Sequence, residues 1–259
     1  MNFPLIVLDL DGTLLNSNKE ISTRSYNAII QCTRLGMKFI FATARPPRAV
    51  RSFVNEELLA LGSFIYYNGA YIDCKHTGIE EHVPIESELT AEVLEYCLHR
   101  NPDLDISVEA QDVWISVREH DYTEVIKVED SPTVKSLEDL KTVEASKILF
   151  SGNIDMDLFQ AKFNTRLNIL TTDNGKLVQL SSPRASKENA VSVLCKAMNI
   201  SLENVMVFGD DFNDIGLFRS CGWPVAMGNA VDELKHIAKE ITETNDNDGV
   251  AVVLERLCR

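Results

Sequence analysis

Two clusters of oxygen-bearing side chains stand out in this chain. The first is Asp9-Leu10-Asp11-Gly12-Thr13, where the apolar run 4–10 stops at acidic residues and a glycine. The second is Gly209-Asp210-Asp211-Phe212-Asn213-Asp214, again at the end of an apolar run, 204–208. Residues two apart on a regular strand share a face, so Asp9 and Asp11 are expected to point the same way. A buried pair of bare carboxylates is costly. A hard cation such as magnesium removes that cost, because it takes oxygen ligands. Three acids and an asparagine at 210–214 make a poor core and a good cation holder. The competing reading of the second cluster is a helix N-cap by Asp210 or Asp211. A cap needs one acid, not three plus the pair at Asp9 and Asp11.

Two weaker signals accompany these clusters. In Phe41-Ala42-Thr43-Ala44-Arg45 an apolar run ends in a hydroxyl near an expected helix start, where a hydroxyl and amides can hold a phosphoryl oxygen. Thr43 alone reads equally as a cap. Lys187 lies near the start of another expected helix, where the helix dipole disfavours a cation. That placement hints at a task, although a lone lysine there is commonly a plain surface residue.

The elements that must carry these residues can be read from periodicity. Segments 4–10 and 38–42 are compact apolar runs of the kind that form buried parallel strands. Between them, 21–35 has apolar residues at Ile21, Ala28, Ile29, Cys32 and Leu35, near helical spacing. Ser22 or Asn18 can cap that helix, and Gly36 ends it. A second helix can start at Pro46 or Pro47 and bury Val50, Phe53, Val54, Leu58 and Leu59. Segment 64–67 is a third strand, closed by the turn pair Asn68-Gly69.

From about His82 the texture changes. Short strands are expected at 105–109, 113–117, 146–150, 168–172 and 176–180, with helices at 88–99 and 155–163. Asp173-Asn174-Gly175 signals a hairpin between the last two strands. The first texture returns at Pro183, with a helix at 185–198, a buried strand at 204–208, a short strand at 224–227, a helix at 231–238 and a closing strand at 249–254. Between the last two, Asn245 to Asp248 reads as a polar turn, without the spaced ligands of a calcium loop. The pattern predicts an α/β core, 1–82 and 184–259, split by an inserted α+β cap domain, 83–183.

Composition narrows the function. The 259 residues carry 39 Asp plus Glu against 25 Lys plus Arg, a formal net charge of −14, with no dense basic run. Such a surface repels phosphate backbones, so no nucleic-acid partner is expected. No stretch is long and apolar enough to span a bilayer, and 3–8 lacks the flanks of a signal peptide, so no membrane partner and a cytoplasmic location are expected. The six scattered cysteines include no C-x-x-C pair and read as small buried hydrophobes. The oligomeric state leaves no trace in the sequence.

Together, Asp9 to Thr13, Thr43, Lys187 and Gly209 to Asp214 resemble the four motifs of the haloacid-dehalogenase-like phosphatases, in the same order. Ala226-Met227-Gly228-Asn229-Ala230, the stretch Asn245 to Val250, and an insertion between the second and third motifs resemble the Cof-type branch with its large α/β cap. The resemblance implies a Rossmann-like parallel sheet core and a cap covering a pocket for a small phosphorylated metabolite, such as a sugar phosphate or a phosphorylated cofactor. It implies that Asp9 is the nucleophile that becomes an aspartyl-phosphate, and that Asp11 is the general acid and later the base. Thr43 and Lys187 would hold phosphoryl oxygens, with Asn213 orienting its neighbours beside the phosphate. Magnesium would be held by Asp9, the backbone carbonyl of Asp11, Asp210 and, through water, Asp214. Ala44, Asn68 and Gly69 would border the pocket. Ala44 stands where the family often has glycine, and Glu188 where the branch often has one.

The chemistry fits these residues. Phosphate monoesters hydrolyse very slowly unaided, and two displacements at a carboxylate divide the barrier. A cation and Lys187 would neutralise charge on the transferring group. The same intermediate also serves a phosphomutase or phosphotransferase. A binding protein with a dead site is disfavoured because nucleophile, acid, lysine and metal acids are all present. His76, His82, Trp114, Arg118, His120 and Asp121 are polar or aromatic features of the insertion region, read as structural or solvated more readily than as substrate contacts.

Overall fold

The computed structural model describes residues 3–119, 131–172 and 176–258. The chain begins with β1 (Leu5–Leu8), whose side chains are all buried. α1 (Thr23–Arg34) follows, capped by Ser22, whose side chain accepts from Ser25 N. Ala28, Ile29 and Cys32 form its buried face, whereas Leu35 lies past the last turn and is exposed. Then come β2 (Lys38–Ala42), α2 (Pro47–Phe53), α3 (Glu56–Leu61) and β3 (Ser63–Tyr66). The single helix expected after β2 is two helices. Val54 is extended, and Asn55 caps α3 by accepting from Leu58 N. An internal cap thus interrupts an apolar period that by itself continues. β4 (Tyr71–Cys74) and β5 (Ile79–His82) extend the sheet from this side.

The chain divides into two compact units, Met1–Glu81 with Ser186–Arg259, and His82–Ala185. The second unit contains α4 (Ser87–Arg100), β6 (Asp105–Ala110), β7 (Val113–Ser116), β8 (Thr133–Val134), α5 (Leu137–Lys141), β9 (Lys147–Ser151), α6 (Met156–Phe163), β10 (Asn168–Thr172) and β11 (Leu177–Ser181). Its strands form a separate sheet in the order β10-β11-β9-β6-β7-β8, antiparallel except at the β7–β8 edge. Val93, Leu94 and Cys97 of α4 and Phe159 and Phe163 of α6 bury against Ile106, Val108, Ile148 and Phe150. The hairpin turn expected at 173–175, with His120 and Asp121, lies outside the described residues. His82 Nε2 lies 2.8 Å from Ser146 Oγ, His76 Nε2 3.3 Å from Phe39 O, and Arg118 pairs with Asp103. Each has a structural partner within its own unit.

The first unit resumes with α7 (Lys187–Ala197), β12 (Val205–Gly209), α8 (Ile215–Ser220), β13 (Trp223–Ala226), α9 (Asp232–Ile237), β14 (Glu240–Ile241) and α10 (Gly249–Leu257). Its sheet runs β14-β13-β12-β1-β2-β3-β4-β5, parallel from β14 to β3 and antiparallel at β3–β4. The fold is α/β, with a mainly parallel sheet. The closing strand is β14, not 249–254 as periodicity suggested. That segment is α10, which buries Val250, Ala251, Val253 and Leu254 and packs on α1. Pairs of apolar residues three and four apart satisfy a helical stripe as well as a buried strand, and packing decides. Fully burying such Val and Leu side chains stabilises by about 1.5–3 kcal/mol each.

One topological fact positions the site. β1 lies between β2 and β12, so the chain leaves β1 toward one side of the sheet and later returns on the other. In open α/β sheets ligands bind outside the carboxyl ends of the strands at such a switch point. Asp9 follows β1, Thr43 follows β2, and Asp210 follows β12.

Candidate active site

At the end of β1, Asp9 is 4 % exposed and accepts from Lys187 Nζ at 2.5 Å. The same ammonium donates to Asp214 Oδ1 at 2.8 Å. Lys187 opens α7, 1 % exposed, after Ser186 has capped the helix. A helix start is a poor place for a cation on dipole grounds. Two buried carboxylates overrule the dipole. Burial alone lowers the Lys187 pKa, but Asp214 and Asp9 outweigh it and hold the ammonium well above the usual lysine range. The Asp9 pKa is raised as well, which favours its neutral form. Burial is the main cause of its raised pKa, Asp214 and Asp210 add to it, and Lys187 only partly offsets them.

Asp214 does two tasks with two oxygens. While Oδ1 holds Lys187, Oδ2 accepts from Asp210 N at 3.1 Å and Asp211 N at 3.4 Å. Gly209 permits this, since a Cβ there would lie 2.5 Å from Asp214 Oδ2. Asp210 accepts from Thr13 Oγ1 at 2.8 Å. Its pKa is pushed up to about 6, by burial first and then by Asp214 and Asp211. Asp211 is exposed and caps the short turn Phe212–Asp214, so the capping reading holds for this acid while its neighbours converge on Asp9.

Carboxylate oxygens of Asp9, Asp210 and Asp214 all lie within 4.8 Å of one another. One ammonium faces these three acids, and two of them have raised pKa values. Hard oxygen donors with uncompensated negative charge fit a divalent cation such as magnesium. The side chain of Asp11 is not in this group. Arg45 Nε and NH2 grip it at 2.6 and 2.7 Å, and Lys19 Nζ at 2.8 Å. Burial raises the Asp11 pKa, but these two cations outweigh it and hold the carboxyl below its usual value. The shared face expected for Asp9 and Asp11 does not form, because regular strand stops at Leu8, before either residue. These ion pairs favour the ionised form of Asp11.

The remaining sequence candidates surround these groups. Thr43 is 1 % exposed, and its Oγ1 accepts from Arg45 N at 3.1 Å. Its carbonyl accepts from Asn68 N at 2.8 Å, which ties the Asn68-Gly69 turn to β2. Asn213 Nδ2 donates to Asn68 Oδ1 at 3.1 Å, so this amide links two loops. Gly69, at φ +105°, leaves only 2.3 Å between a Cβ and Ser186 O, so this turn abuts the start of α7. Ala44 is not among the described residues with positive φ, and its methyl is accommodated. Glu188 lies in the first turn of α7, its carboxylate against Gly216. Sequence reasoning missed Lys19, Arg45 and Thr13 as partners. Arg45 and Thr13 stand inside the quoted motifs, whereas nothing in the local sequence marks Lys19.

Gly12 offers a direct test of this packing. A Cβ there would lie 2.1 Å from Asp210 Oδ2, and φ is positive. Gly12→Ala is expected to displace Asp210 and weaken cation binding by tenfold or more, roughly the cost of an Å-scale misplacement. Titration of the purified variant with Mg²⁺ reads this, and unchanged affinity would contradict the tight approach.

The geometry agrees with similarity to known proteins. A family model described as haloacid dehalogenase-like hydrolase matches residues 6–254, and the chain belongs to that family. Its motifs place it in the Cof-type branch. It is 28% identical to Phosphatase YwpJ of Bacillus subtilis, over 98% of this chain and 99% of that protein. It is 26% identical to 5-amino-6-(5-phospho-D-ribitylamino)uracil phosphatase YcsE of the same organism, over 97% and 94%. Its fold matches the crystal structure of TM0651 from Thermotoga maritima with a TM-score of 0.88 at 25% identity, covering 99% of this chain and 97% of that one. Among the described residues, no helix is long and apolar enough to cross a membrane.

Proposed function

We propose that this hydrolase is a magnesium-dependent phosphatase, cleaving a small phosphate monoester through an aspartyl-phosphate on Asp9. The observation that carries the reading is the buried Asp9–Lys187–Asp214 triad, with Asp210 converging on it at the carboxyl ends of β1 and β12. Asp9, the Asp11 carbonyl, Asp210 and, through water, Asp214 would hold the cation. When bound, it supplies positive charge to the transferring phosphoryl group.

The chain's own residues supply the rest. Asp9 attacks phosphorus, and Lys187, already fixed against Asp9, is placed to balance the charge on the phosphoryl oxygens. The Thr43 hydroxyl oxygen accepts from Arg45 N and keeps its hydrogen for a phosphoryl oxygen. Asp11 protonates the leaving oxygen in the first step and takes a proton from water in the second. Ionised against Arg45 and Lys19, it is ready for the second task. For the first it must leave those partners and pick up a proton. Small phosphorylated metabolites are the favoured substrates. This follows the family and the Bacillus subtilis relative YcsE, named as a phosphatase of 5-amino-6-(5-phospho-D-ribitylamino)uracil.

Phosphate release from a panel of phosphorylated metabolites tests the proposal. Turnover is expected to vanish with chelator and return with magnesium. Asp210→Asn should raise the magnesium requirement at least about tenfold while the protein stays folded, because it removes charge and little volume. Full activity in metal-free protein would refute the cation's part. Product analysis with an added alcohol separates hydrolysis from transfer.

A further inference from the structure

The polar turn Asn245–Asn247 has no part in the chemistry above. It faces the loop that carries Asp11. That loop runs from Asp11 to Ile21, with Leu15 bridged to both ends and Leu14 and Leu15 buried as anchors. Three of its residues, Gly12, Leu15 and Ser17, are tied to residues 229 and 245–246 far along the chain. Asn229 Nδ2 donates to Gly12 O at 2.8 Å. Asn245 Nδ2 donates to Leu15 O at 2.9 Å, and Asn245 N donates to Asn229 Oδ1 at 3.0 Å, which fixes the orientation of that amide. Asp246 takes both donors of Ser17, N and Oγ, each at 2.7 Å.

The brace is itself rigidly mounted. Thr244 O accepts from Asn247 N and Gly249 N, and Gly249 sits so close to Glu243 O that a Cβ would lie 2.1 Å from it. Directly after it α10 docks on α1. The Asn229 turn is bound to the other half of the site, since Val231 N donates to Asp210 O and Met227 N to Gly209 O. One polar network thus spans the carbonyl of Gly12, beside Asp11, and the backbone of the Asp210 loop.

We propose that Asn229, Asn245 and Asp246 are positioning residues that set where Asp11 stands relative to the reacting group. They touch neither phosphate nor cation, and act by fixing the backbone of 12–17. The proposal rests on the reading of Asp11 as general acid and base. Its consequence is selective. Loosening the loop should cost most where the leaving group needs a proton, and little where it does not.

The test uses Asn245→Ala, Asp246→Ala and Asp246→Asn, with Ser17→Ala removing one of the same bonds from the loop side. Each is assayed on p-nitrophenyl phosphate, whose leaving group is acidic, and on the alkyl monoester turned over fastest in the metabolite panel. Asp11→Asn is measured alongside. The two alanine variants at 245 and 246 should lose kcat on the alkyl ester by roughly ten- to hundredfold. On the aryl ester the loss should be about threefold or less, with KM changed little on either. Asp246→Asn, which can still accept from Ser17, should recover most of the loss. Ser17→Ala should show the same selectivity more weakly. Equal losses on both esters, or unchanged kcat with only a lowered melting temperature, would overturn the proposal and leave a purely structural brace. If Asp11→Asn itself shows no preference between the esters, the general-acid reading fails. If Asp11→Asn discriminates and the 245 and 246 variants do not, the brace fails alone.

Discussion

Asp9→Asn is expected to abolish phosphate release from every substrate and to leave no phosphorylated protein to trap. The amide keeps the shape of the carboxylate and an oxygen that can still accept from Lys187, so the site should stay assembled. What it loses is the proposed nucleophile. When a residue that forms the covalent intermediate is removed, the loss in kcat is typically more than about 10³-fold. The fold should not suffer, since three converging carboxylates against one ammonium become two. Asp11→Asn should behave differently. It should suppress hydrolysis of alkyl phosphates, spare the first step with aryl phosphates, and let a phosphoenzyme accumulate once the base for dephosphorylation is gone. Acid quench, proteolysis and mass spectrometry locate the label. A phosphate on Asp11, or turnover without any labelled aspartate, would reverse the assignment of the two residues.

The second large effect belongs to Lys187→Met. Methionine matches the length of the side chain and carries no charge. Asp9 and Asp214 would then stay buried without their shared ammonium. Breaking a buried ion pair from one side costs about 3–5 kcal/mol, because an uncompensated charge is left inside. Unfolding in denaturant with chelator present measures this. The two tryptophans fall in different units, Trp114 in the second and Trp223 in the first. On a Trp114→Phe background, fluorescence therefore follows the unit that holds the site. Magnesium should restore part of the lost stability, since a bound cation takes over the neutralising role. Adding Asp9→Asn should restore part of it in chelator, by removing one unpaired charge. Turnover should fall as well, because no ammonium would then meet the phosphoryl oxygens. The drop should be two to three orders of magnitude, about the size of removing a preorganised charge-stabilising donor. If Lys187→Met were as stable as the parent protein without metal, the triad would not be the electrostatic keystone its burial indicates.

How much of this was legible beforehand differs from one residue to the next. The strands that deliver Asp9, Thr43 and Asp210 were readable because a fully buried parallel strand is a compact apolar run with an abrupt polar end. Lys187 drew notice through a local conflict, a cation at a helix start, and the conflict resolved into two buried partners. Segment 249–254 misled because its apolar-rich residues fit two periods, and only docking on α1 makes it helical. The break between α2 and α3 was missed because Asn55 is one polar residue in an otherwise continuous stripe. For Asp11 the residue type was legible and its surroundings were not. Nothing near position 11 announces that Lys19 and Arg45 will close on it.

The sequence by itself determined the inventory and its delivery. Strand composition, turn glycines and motif spacing are local, and they suffice to bring carboxylates to strand ends. Tertiary structure decided which charges face each other. Lys187 stands 178 positions from Asp9 and 27 from Asp214, and the three meet only because β1 lies between β2 and β12. Asp11 turns from Asp9 because regular strand ends at Leu8, before both residues, and it finds Arg45 34 positions away. Coulomb energy depends on separation and local dielectric, and both are properties of the folded packing.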